Sequence, residues 1–272
     1  MRLKLFLAAV SCVASAARAD VPLDALRATI RLDGGGQSGT GFVLVLPAAD
    51  AAPESLILVT AAHVFEKMDA DSCTASFRAR GPEGFVRRDT RLTIREGREP
   101  CWTRHPQADV AVIAIAPPDD ADLARIPIDR LADAAAFERG DVRVSQRAWV
   151  ACFPAKTEAN RVGWPVLRQG SIASHPLAPV AAVETFFVDY AHFGGDSGSA
   201  VVVEQDGAPL VAGVVVSMQR QTDRVKSPFE EKTVHTPLGL ALAVPSDRVH
   251  DTIARWRERP RKAAAAVTPP AR

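Results

Sequence analysis

Short apolar runs separated by glycine, proline, aspartate and asparagine constrain the fold of this 272-residue chain more than any other feature. Short strands with turn residues between them are typical of antiparallel β-structure, and the strand–helix alternation of a parallel sheet is missing. The sequence therefore predicts an all-β barrel or sandwich. The predicted strands cover residues 28–32, 41–46, 55–60, 85–94, 110–115, 148–153, 166–174, 185–190, 200–204, 211–218 and 240–244.

A charged, alanine-rich stretch that opens with two prolines and two aspartates interrupts this pattern at residues 117–140. It divides the strands into two sets of similar size, as a linker between two barrels would. We therefore expect a first half at about residues 20–118, a linker at about 119–140 and a second half at about 141–258.

One amphipathic helix is predicted at the end of the second half. Val249, Ile253 and Trp256 are spaced so that they share one helix face, and Ser246 is the predicted N-cap. A proline ends the helix. The tail at residues 259–272 is rich in alanine, proline and arginine, and we expect it to be disordered.

The first 19 residues have the pattern of an export signal. Arg2 and Lys4 supply the positive charge, residues 5–16 are apolar, and Ala-Arg-Ala at 17–19 fits a cleavage site that leaves Asp20 as the mature N-terminus. The alternative of a membrane anchor requires roughly 20 apolar residues, more than this run provides. We expect a periplasmic or secreted protein without a transmembrane segment once the signal is removed.

The four cysteines are interpreted in the light of export. Cys12 leaves with the signal or, in the alternative of a lipoprotein, carries the lipid. Cys73 and Cys101 lie in polar segments and Cys152 in an apolar one, so we expect a disulfide between the first two and a buried free thiol at Cys152. A zinc site formed with His105 has no accepted ligand spacing.

The balance of charges excludes some partners. The formal net charge is +1, so the field of the whole protein favours neither nucleic acid nor an acidic membrane. Hydrophobic residues make up 47% and charged residues 24%, which is ordinary for a globular protein.

Three segments carry residues suited to acyl transfer. His63 follows an apolar strand, Asp109 precedes another, and Ser197 lies in the glycine-rich turn G-G-D-S-G-S at 194–199. A serine nucleophile needs a base, the base needs an orienting carboxylate, and the developing oxyanion needs N–H donors. Glycine at position 195 allows a tight turn in which the amides of Gly195 and Ser197 converge on one point.

These segments resemble the trypsin-like serine peptidases of the chymotrypsin fold. The strings T-A-A-H at 60–63, D-V-A-V at 109–112 and G-D-S-G at 195–198 match the hallmarks of that family, in its chain order. Asp109 follows His63 by 46 residues and Ser197 follows Asp109 by 88, close to the family's spacing. The resemblance implies two six-stranded antiparallel β-barrels with the triad His63, Asp109 and Ser197 between them.

Within that family, the motifs are most similar to those of bacterial HtrA-type (Deg) proteases. The strings concerned are G-T-G-F-V at 39–43, V-D-Y-A at 188–191 and L-A-V-P-S at 242–246. The Gly-Ser pair at 198–199 also resembles glutamyl endopeptidases. The sequence differs from the HtrA-type proteases in one respect: we expect no PDZ module after the peptidase domain. Val64 stands where digestive enzymes carry a cysteine, and no I-V-G-G sequence provides an amine to pair with Asp196.

The resemblance also implies a primary specificity pocket. Its walls are Tyr190, Ala191, His192, Phe193, Val216, Ser217 and Met218, with Ala241 or Ala243 at the back. Position 191 lacks the carboxylate that selects arginine or lysine, so the pocket favours small or medium apolar residues. In the less favoured alternative, His192 donates a hydrogen bond to a glutamine or glutamate of the substrate.

The sequence thus predicts an exported serine endopeptidase that acts on proteins or peptides through an acyl-enzyme and needs no metal or organic cofactor. One alternative is a GDSL-type esterase that uses Asp247 and His250, but it leaves His63 and Asp109 without a role. The other is a catalytically silent protease fold that serves as a binding module or scaffold. The oligomeric state is not predicted.

Overall fold

The computed structural model describes residues 20–48, 55–97, 99–226 and 230–259. The predicted export signal, with Cys12, and the tail beyond Arg259 lie outside these residues. The four helices are α1 Val21–Ala28, α2 Ala62–Glu66, α3 Ala134–Arg139 and α4 Asp247–Glu258. The strands are β1 Thr29–Gly34, β2 Gln37–Leu46, β3 Ser55–Thr60, β4 Ser72–Gly81, β5 Gly84–Thr93, β6 Arg95–Glu96, β7 Glu99–Pro100, β8 Thr103–Arg104, β9 Ala111–Ile115, β10 Ile126–Pro127, β11 Arg147–Cys152, β12 Val166–Ile172, β13 Phe186–Asp189, β14 Ala200–Gln205, β15 Ala208–Lys226 and β16 Glu231–Pro245.

The second half forms a closed six-stranded barrel. Its strand order is β11-β12-β13-β16-β15-β14, and each neighbouring pair is antiparallel. Alternate side chains of these strands fill the barrel interior, as the period of two in a strand requires. They include Phe186, Val188, Val201, Val203 and Val215, each at most 1% exposed. The predicted all-β class and the second six-stranded barrel are confirmed.

The first half is an open sheet rather than a closed six-stranded barrel. Its order is β5-β4-β1-β2-β3-β9-β8, with β10 added parallel to β2. The predicted closure is therefore wrong for this half, at least among the residues that the structure describes. Closure would require the last strand, β8, to form hydrogen bonds with the first strand of the order, β5. Strand β8 has only two residues and pairs only with β9, so the two ends of the sheet are not joined.

Strand β4, which the sequence did not predict, carries a buried arginine that joins the two halves. The guanidinium of Arg78 is 1% exposed and donates hydrogen bonds to the carbonyls of Thr29 (2.8 Å), Arg27 (3.1 Å) and Gly163 (3.3 Å). It also lies 4.9 Å from the ring of Trp164. A buried charge needs this many partners to offset its desolvation, so Arg78 holds α1, β1 and the second half together.

The predicted terminal helix is confirmed as α4, with Val249 and Ile253 buried and Ser246 at the N-cap position, but Ser246 does not cap the helix with its side chain. The Ser246 hydroxyl donates to the carbonyl of Ala132 at 2.7 Å and makes no capping hydrogen bond. Ser246 thus ties the helix to the segment predicted as a linker, which contains β10, a 3-10 turn and α3.

The last described residue, Arg259, belongs to the folded domain although we expected it to begin the tail. Its guanidinium donates to the carbonyl of Trp102 at 2.6 Å and to the Thr103 hydroxyl at 3.1 Å. None of the described helices has the length and apolar character needed to cross a bilayer.

The predicted disulfide between Cys73 and Cys101 is not formed, and the described residues contain no disulfide. Cys73 lies on β4, whose alternate residues face the core, and it is 4% exposed opposite Leu92. Its polar neighbours on the strand face outward, which explains why the segment looked exposed in the sequence. Burial, with a smaller contribution from Asp33, raises the pKa of the Cys73 thiol to about 12.

Strands β15 and β16 extend beyond the barrel as a two-stranded ribbon, which we call the arm: residues 219–226 and 230–239. The pairing continues to Lys226 opposite Glu231, and every residue of 219–226 and 231–238 is exposed. The sequence predicted that these strands end at Met218 and begin at Leu240. That prediction was wrong because a ribbon with two solvated faces has no alternation of apolar and polar residues to reveal it.

Candidate active site

His63 is positioned by the junction between β3 and α2. The strand ends at Thr60, and the short helix begins at Ala62 with both Ala61 and Ala62 fully buried. Burial of these small residues fixes the first helical turn, so the imidazole projects into the cleft between the two halves. The side chain of His63 is 23% exposed.

Asp109 binds His63 through both of its carboxylate oxygens. Oδ2 lies 2.6 Å from Nδ1 of the imidazole, and Oδ1 accepts a hydrogen bond from the His63 amide at 2.9 Å. Burial alone would raise the pKa of the Asp109 carboxyl, but the hydrogen bonds and charge of His63 lower it below its usual value. The carboxylate is therefore held ionised, and it orients the ring so that Nε2 is available to another group.

His105 shapes the loop that carries Asp109, a role that sequence reasoning missed. Its Nδ1 accepts hydrogen bonds from the amides of Gln107 (3.1 Å) and Ala108 (2.9 Å), and its own amide donates to the carbonyl of Val110 at 2.9 Å. The side chain is 3% exposed. The sequence placed His105 in a polar loop, and only its short separation from Asp109 hints at this role.

Ser197 lies in a turn that is hydrogen-bonded to Thr40 of strand β2, in the first half of the chain. The Thr40 amide donates to the carbonyl of Ser197 at 2.9 Å, and the Thr40 hydroxyl donates to the carbonyl of Gly195 at 2.7 Å. Gly198 has φ +91°, and a Cβ there would lie 1.9 Å from the Thr40 carbonyl oxygen. Only glycine fits at that position, which explains the glycine directly after the serine.

His63 and Ser197 line the same cleft, which has a volume of about 340 Å³. The Ser197 hydroxyl donates to the carbonyl of Val216 at 3.4 Å, a weak contact. Among the described residues, no hydrogen bond joins it to His63. Rotation about the Cα–Cβ bond would move the hydroxyl between staggered positions at little cost. Another depression, of about 410 Å³, contains none of the candidate catalytic residues.

The amides of Gly195 and Ser197 are free to bind a ligand. Neither of them donates a hydrogen bond to any group in the part of the chain that the structure describes. Gly195 has φ +101°, and a Cβ there would lie 2.4 Å from the carbonyl oxygen of Phe153. The turn is thus built around two glycines, and two of its amides have no hydrogen-bond partner among the described residues.

Asp196 is fully buried beneath this turn. Its Oδ2 accepts from the Phe193 amide at 3.0 Å, and its Oδ1 has no partner among the described residues. Burial raises the pKa of the Asp196 carboxyl, and contacts with Phe193, Cys152 and the charge of Arg168 oppose this only in part. Arg168 is the cation whose charge acts on Asp196. Its guanidinium also lies 5.5 Å from the centre of the Phe193 ring.

The residues expected to form a specificity pocket differ in how far they are exposed. Ala191, Phe193 and Ser217 are exposed, Met218 is half-buried, and Ala241 and Ala243 are buried. His192 differs from the others because it is 4% exposed and neither ring nitrogen has a partner among the described residues. Burial, and then the charge of nearby His63, lower the pKa of His192 to about 4.

Comparison with known proteins finds similarity only among solved structures. No family model matches the chain, and no curated protein matches it. Two crystal structures of Rv3671c from M. tuberculosis H37Rv are similar: a serine-to-alanine mutant in an inactive form and the protease in an inactive form. Both are 16% identical, with TM-scores of 0.49 and 0.47. The matches cover 89% and 87% of this chain and 93% and 92% of theirs. Likeness at this level assigns no activity to this chain.

Proposed function

We propose that this protein is a serine endopeptidase that hydrolyses peptide bonds through an acyl-enzyme. The observation that carries the proposal is the double hydrogen bond from His63 to Asp109, at 2.6 Å and 2.9 Å, in the cleft that also holds Ser197. A base oriented by a half-buried carboxylate next to a hydroxyl, with two unpaired amides beside it, is the arrangement that acyl transfer requires.

In the proposed reaction, His63 Nε2 removes the proton of Ser197 as Oγ attacks the carbonyl carbon of the scissile peptide. The negative charge that develops on the carbonyl oxygen is stabilised by the amides of Gly195 and Ser197. The imidazolium, held by Asp109, then gives its proton to the departing amine nitrogen, and the C–N bond breaks. Water attacks the ester in the same manner, His63 again takes the proton, and Ser197 is regenerated.

The absence of a Ser197–His63 hydrogen bond in the described residues is the observation that favours the alternative, a silent binding module. Catalytic hydrogen bonds are often long or misaligned without substrate, however, and tighten when it binds. The alternative also leaves unexplained why the turn keeps two N–H donors unpaired. We therefore prefer the enzyme.

Export and kinship with the HtrA-type proteases belong to the same proposal. Export rests on the charged, apolar and small-residue pattern of residues 1–19, and kinship rests on the strings at 39–43, 188–191 and 242–246. N-terminal sequencing of protein recovered from the periplasm or medium tests export. We expect the mature chain to begin at Asp20, and protein that retains Met1 in the cell would contradict this.

A fluorophosphonate probe tests the nucleophile directly, because only an activated serine forms the covalent adduct. We expect labelling of the wild type, none of Ser197→Ala, and full labelling of Ser38→Ala. Ser38 is the matched control because it lines the same cleft but has no proposed role. Equal labelling of Ser197→Ala, or none of the folded wild type, would refute the proposed function.

A further inference from the structure

Strand β15 has a long edge that meets no other strand among the described residues. Strand β14 pairs with β15 only as far as Val214, whereas β16 pairs with β15 out to Lys226. From residue 216 to residue 226, β15 therefore has one paired edge and one edge that meets no strand in the described part of the chain. The unpaired N–H and C=O groups of such an edge are a template for one more strand.

This free edge begins at the candidate active site. Val216, its first residue, accepts the hydrogen bond from the Ser197 hydroxyl at 3.4 Å. The other edge of the arm, on β16, leads elsewhere, because β16 next pairs with β13 at Leu240 opposite Asp189. Of the two edges of the arm, only the β15 edge is thus continuous with the nucleophile.

The arm gains nothing from a core of its own, because its residues are exposed on both faces. A two-stranded ribbon is at best marginally stable in water, and exposed edges are usually shortened or blocked. Val225 and Val234 are 56% and 37% exposed. An exposed ribbon of this length, with apolar side chains such as Val225 and Val234 in solvent, is explained if another chain pairs with it.

We propose that the arm binds the substrate segment that precedes the scissile bond, as a third antiparallel strand along residues 216–226. The inference rests on the proposed function, because the free edge begins at Val216, which contacts the hydroxyl of Ser197 that attacks the scissile carbonyl. Antiparallel strands pair residue for residue, so the arm recognises an extended, unstructured segment about as long as its own free edge.

The charge of the arm indicates the character of that segment. Arg220, Arg224 and Lys226 lie on one face because alternate residues of a strand share a face. Lys226 lies 3.6 Å from Glu231, whereas Arg220 and Arg224 form no ion pair with the described residues. An incoming strand with acidic residues at alternate positions would place them beside the two arginines. The substrate class is therefore proteins with an extended acidic segment before the cleavage site.

The first test is a series of fluorogenic peptides with one cleavage site and upstream segments that lengthen in steps of two residues. We expect kcat/KM to rise roughly 2- to 10-fold for each added backbone hydrogen bond, and to level off at the end of the arm. N-methylation of alternate upstream residues should lower kcat/KM in one phase of the alternation and not in the other, since alternate amides face β15. A flat length series with cleavage that still requires Ser197 would overturn the arm proposal and leave the proposed function intact.

Two enzyme variants complete the test. The double variant Arg220→Ala, Arg224→Ala should lose the preference for acidic over neutral upstream residues, whereas Lys232→Ala on the opposite face of β16 should keep it. A variant in which a two-residue turn joins Gln219 to Leu240 should cleave short peptides as the wild type does and lose the length dependence. Unchanged length dependence in this variant would overturn the proposal.

A binding measurement keeps the two proposals separable. Fluorescence anisotropy of a labelled acidic peptide is measured with Ser197→Ala carrying either the full arm or the shortened arm. We expect the affinity to fall at least tenfold with the shortened arm. If no peptide is cleaved in a Ser197-dependent manner, the proposed function fails, and this measurement alone decides the role of the arm. Equal affinities would overturn it.

Discussion

The carboxylate of Asp109 binds His63 at two points, the ring Nδ1 at 2.6 Å and the backbone amide at 2.9 Å. One side chain therefore fixes both the orientation of the imidazole and the start of the helix that carries it. A substitution at Asp109 should affect the chemistry of the ring before it affects the stability of the fold.

Asp109→Asn should lower kcat by about 10³- to 10⁴-fold, because an amide in place of the carboxylate favours the wrong imidazole tautomer. The melting temperature should change little. The exposed Asp69→Asn serves as the control and should retain full activity. Steady-state kinetics on a peptide substrate measures the effect. Wild-type kcat in a folded Asp109→Asn protein would remove Asp109 from the mechanism.

His105 should behave as a positioning residue. His105→Phe removes the acceptor of the Gln107 and Ala108 amides, so we expect kcat to fall roughly tenfold or more with KM nearly unchanged. His105→Asn retains an acceptor at a similar position and should restore most of the activity. If both variants lose stability and activity in parallel, the role of His105 is only structural.

The unpaired nitrogens of His192 predict which substrate residue would precede the cleaved bond in the proposed reaction. A buried polar group without a partner costs about 1–3 kcal/mol, which a hydrogen-bonding substrate side chain would recover. The low pKa keeps the ring neutral at pH 7, so we expect glutamine to be preferred over glutamate, and arginine and lysine to be poor. A peptide library on the wild type and His192→Ala tests this, with exposed His175→Ala as the control. If both proteins prefer small apolar residues, His192 does not select the substrate. The pocket would then favour small or medium apolar residues, as the sequence predicted.

His192 should also make the fold sensitive to acid. Its pKa is about 4 in the folded protein and near 6.5 when unfolded, so between these values only the unfolded chain takes up the proton. Stability therefore falls as the pH drops from 6.5 towards 4, by up to about 3 kcal/mol from this group. Urea unfolding at several pH values should show a shallower loss in His192→Gln than in the wild type. His175→Gln should follow the wild type, and identical slopes in all three would contradict the assignment.

The cysteines should not be linked in the purified protein. Alkylation in denaturant without reductant should modify Cys73, Cys101 and Cys152, and added reductant should not raise the count. Burial raises the pKa of the Cys73 thiol to about 12 and also raises the pKa of Cys152, so both should react slowly while the protein is folded. Mass spectrometry gives the number of labels. A mass lower by two hydrogens before reduction would show that a disulfide forms.

The six-stranded barrel was implied only by the resemblance to trypsin-like peptidases, but its strands and the terminal helix could be predicted from their apolar patterns. In β14, for example, an unbroken run of valines announces a strand buried on both faces. Strand β4 escaped prediction because Arg78, a charged residue, occupies one of its buried positions. His105 and Ser246 escaped because their partners are backbone groups, which no side-chain pattern reveals. The strings around His63, Asp109 and Ser197 marked the candidate site, but the sequence offered no sign of the unpaired ring of His192.

Thr40 lies 155 residues from Gly195 in the chain, yet its hydroxyl and amide support the turn on which the nucleophile lies. A gene cut between the two halves would therefore yield two fragments that each lack half of the scaffold for Ser197. If each fragment is fused to one of two test proteins, binding between the test proteins would bring β2 of the first fragment to the Ser197 turn of the second. Recovery of peptide hydrolysis would then report that binding.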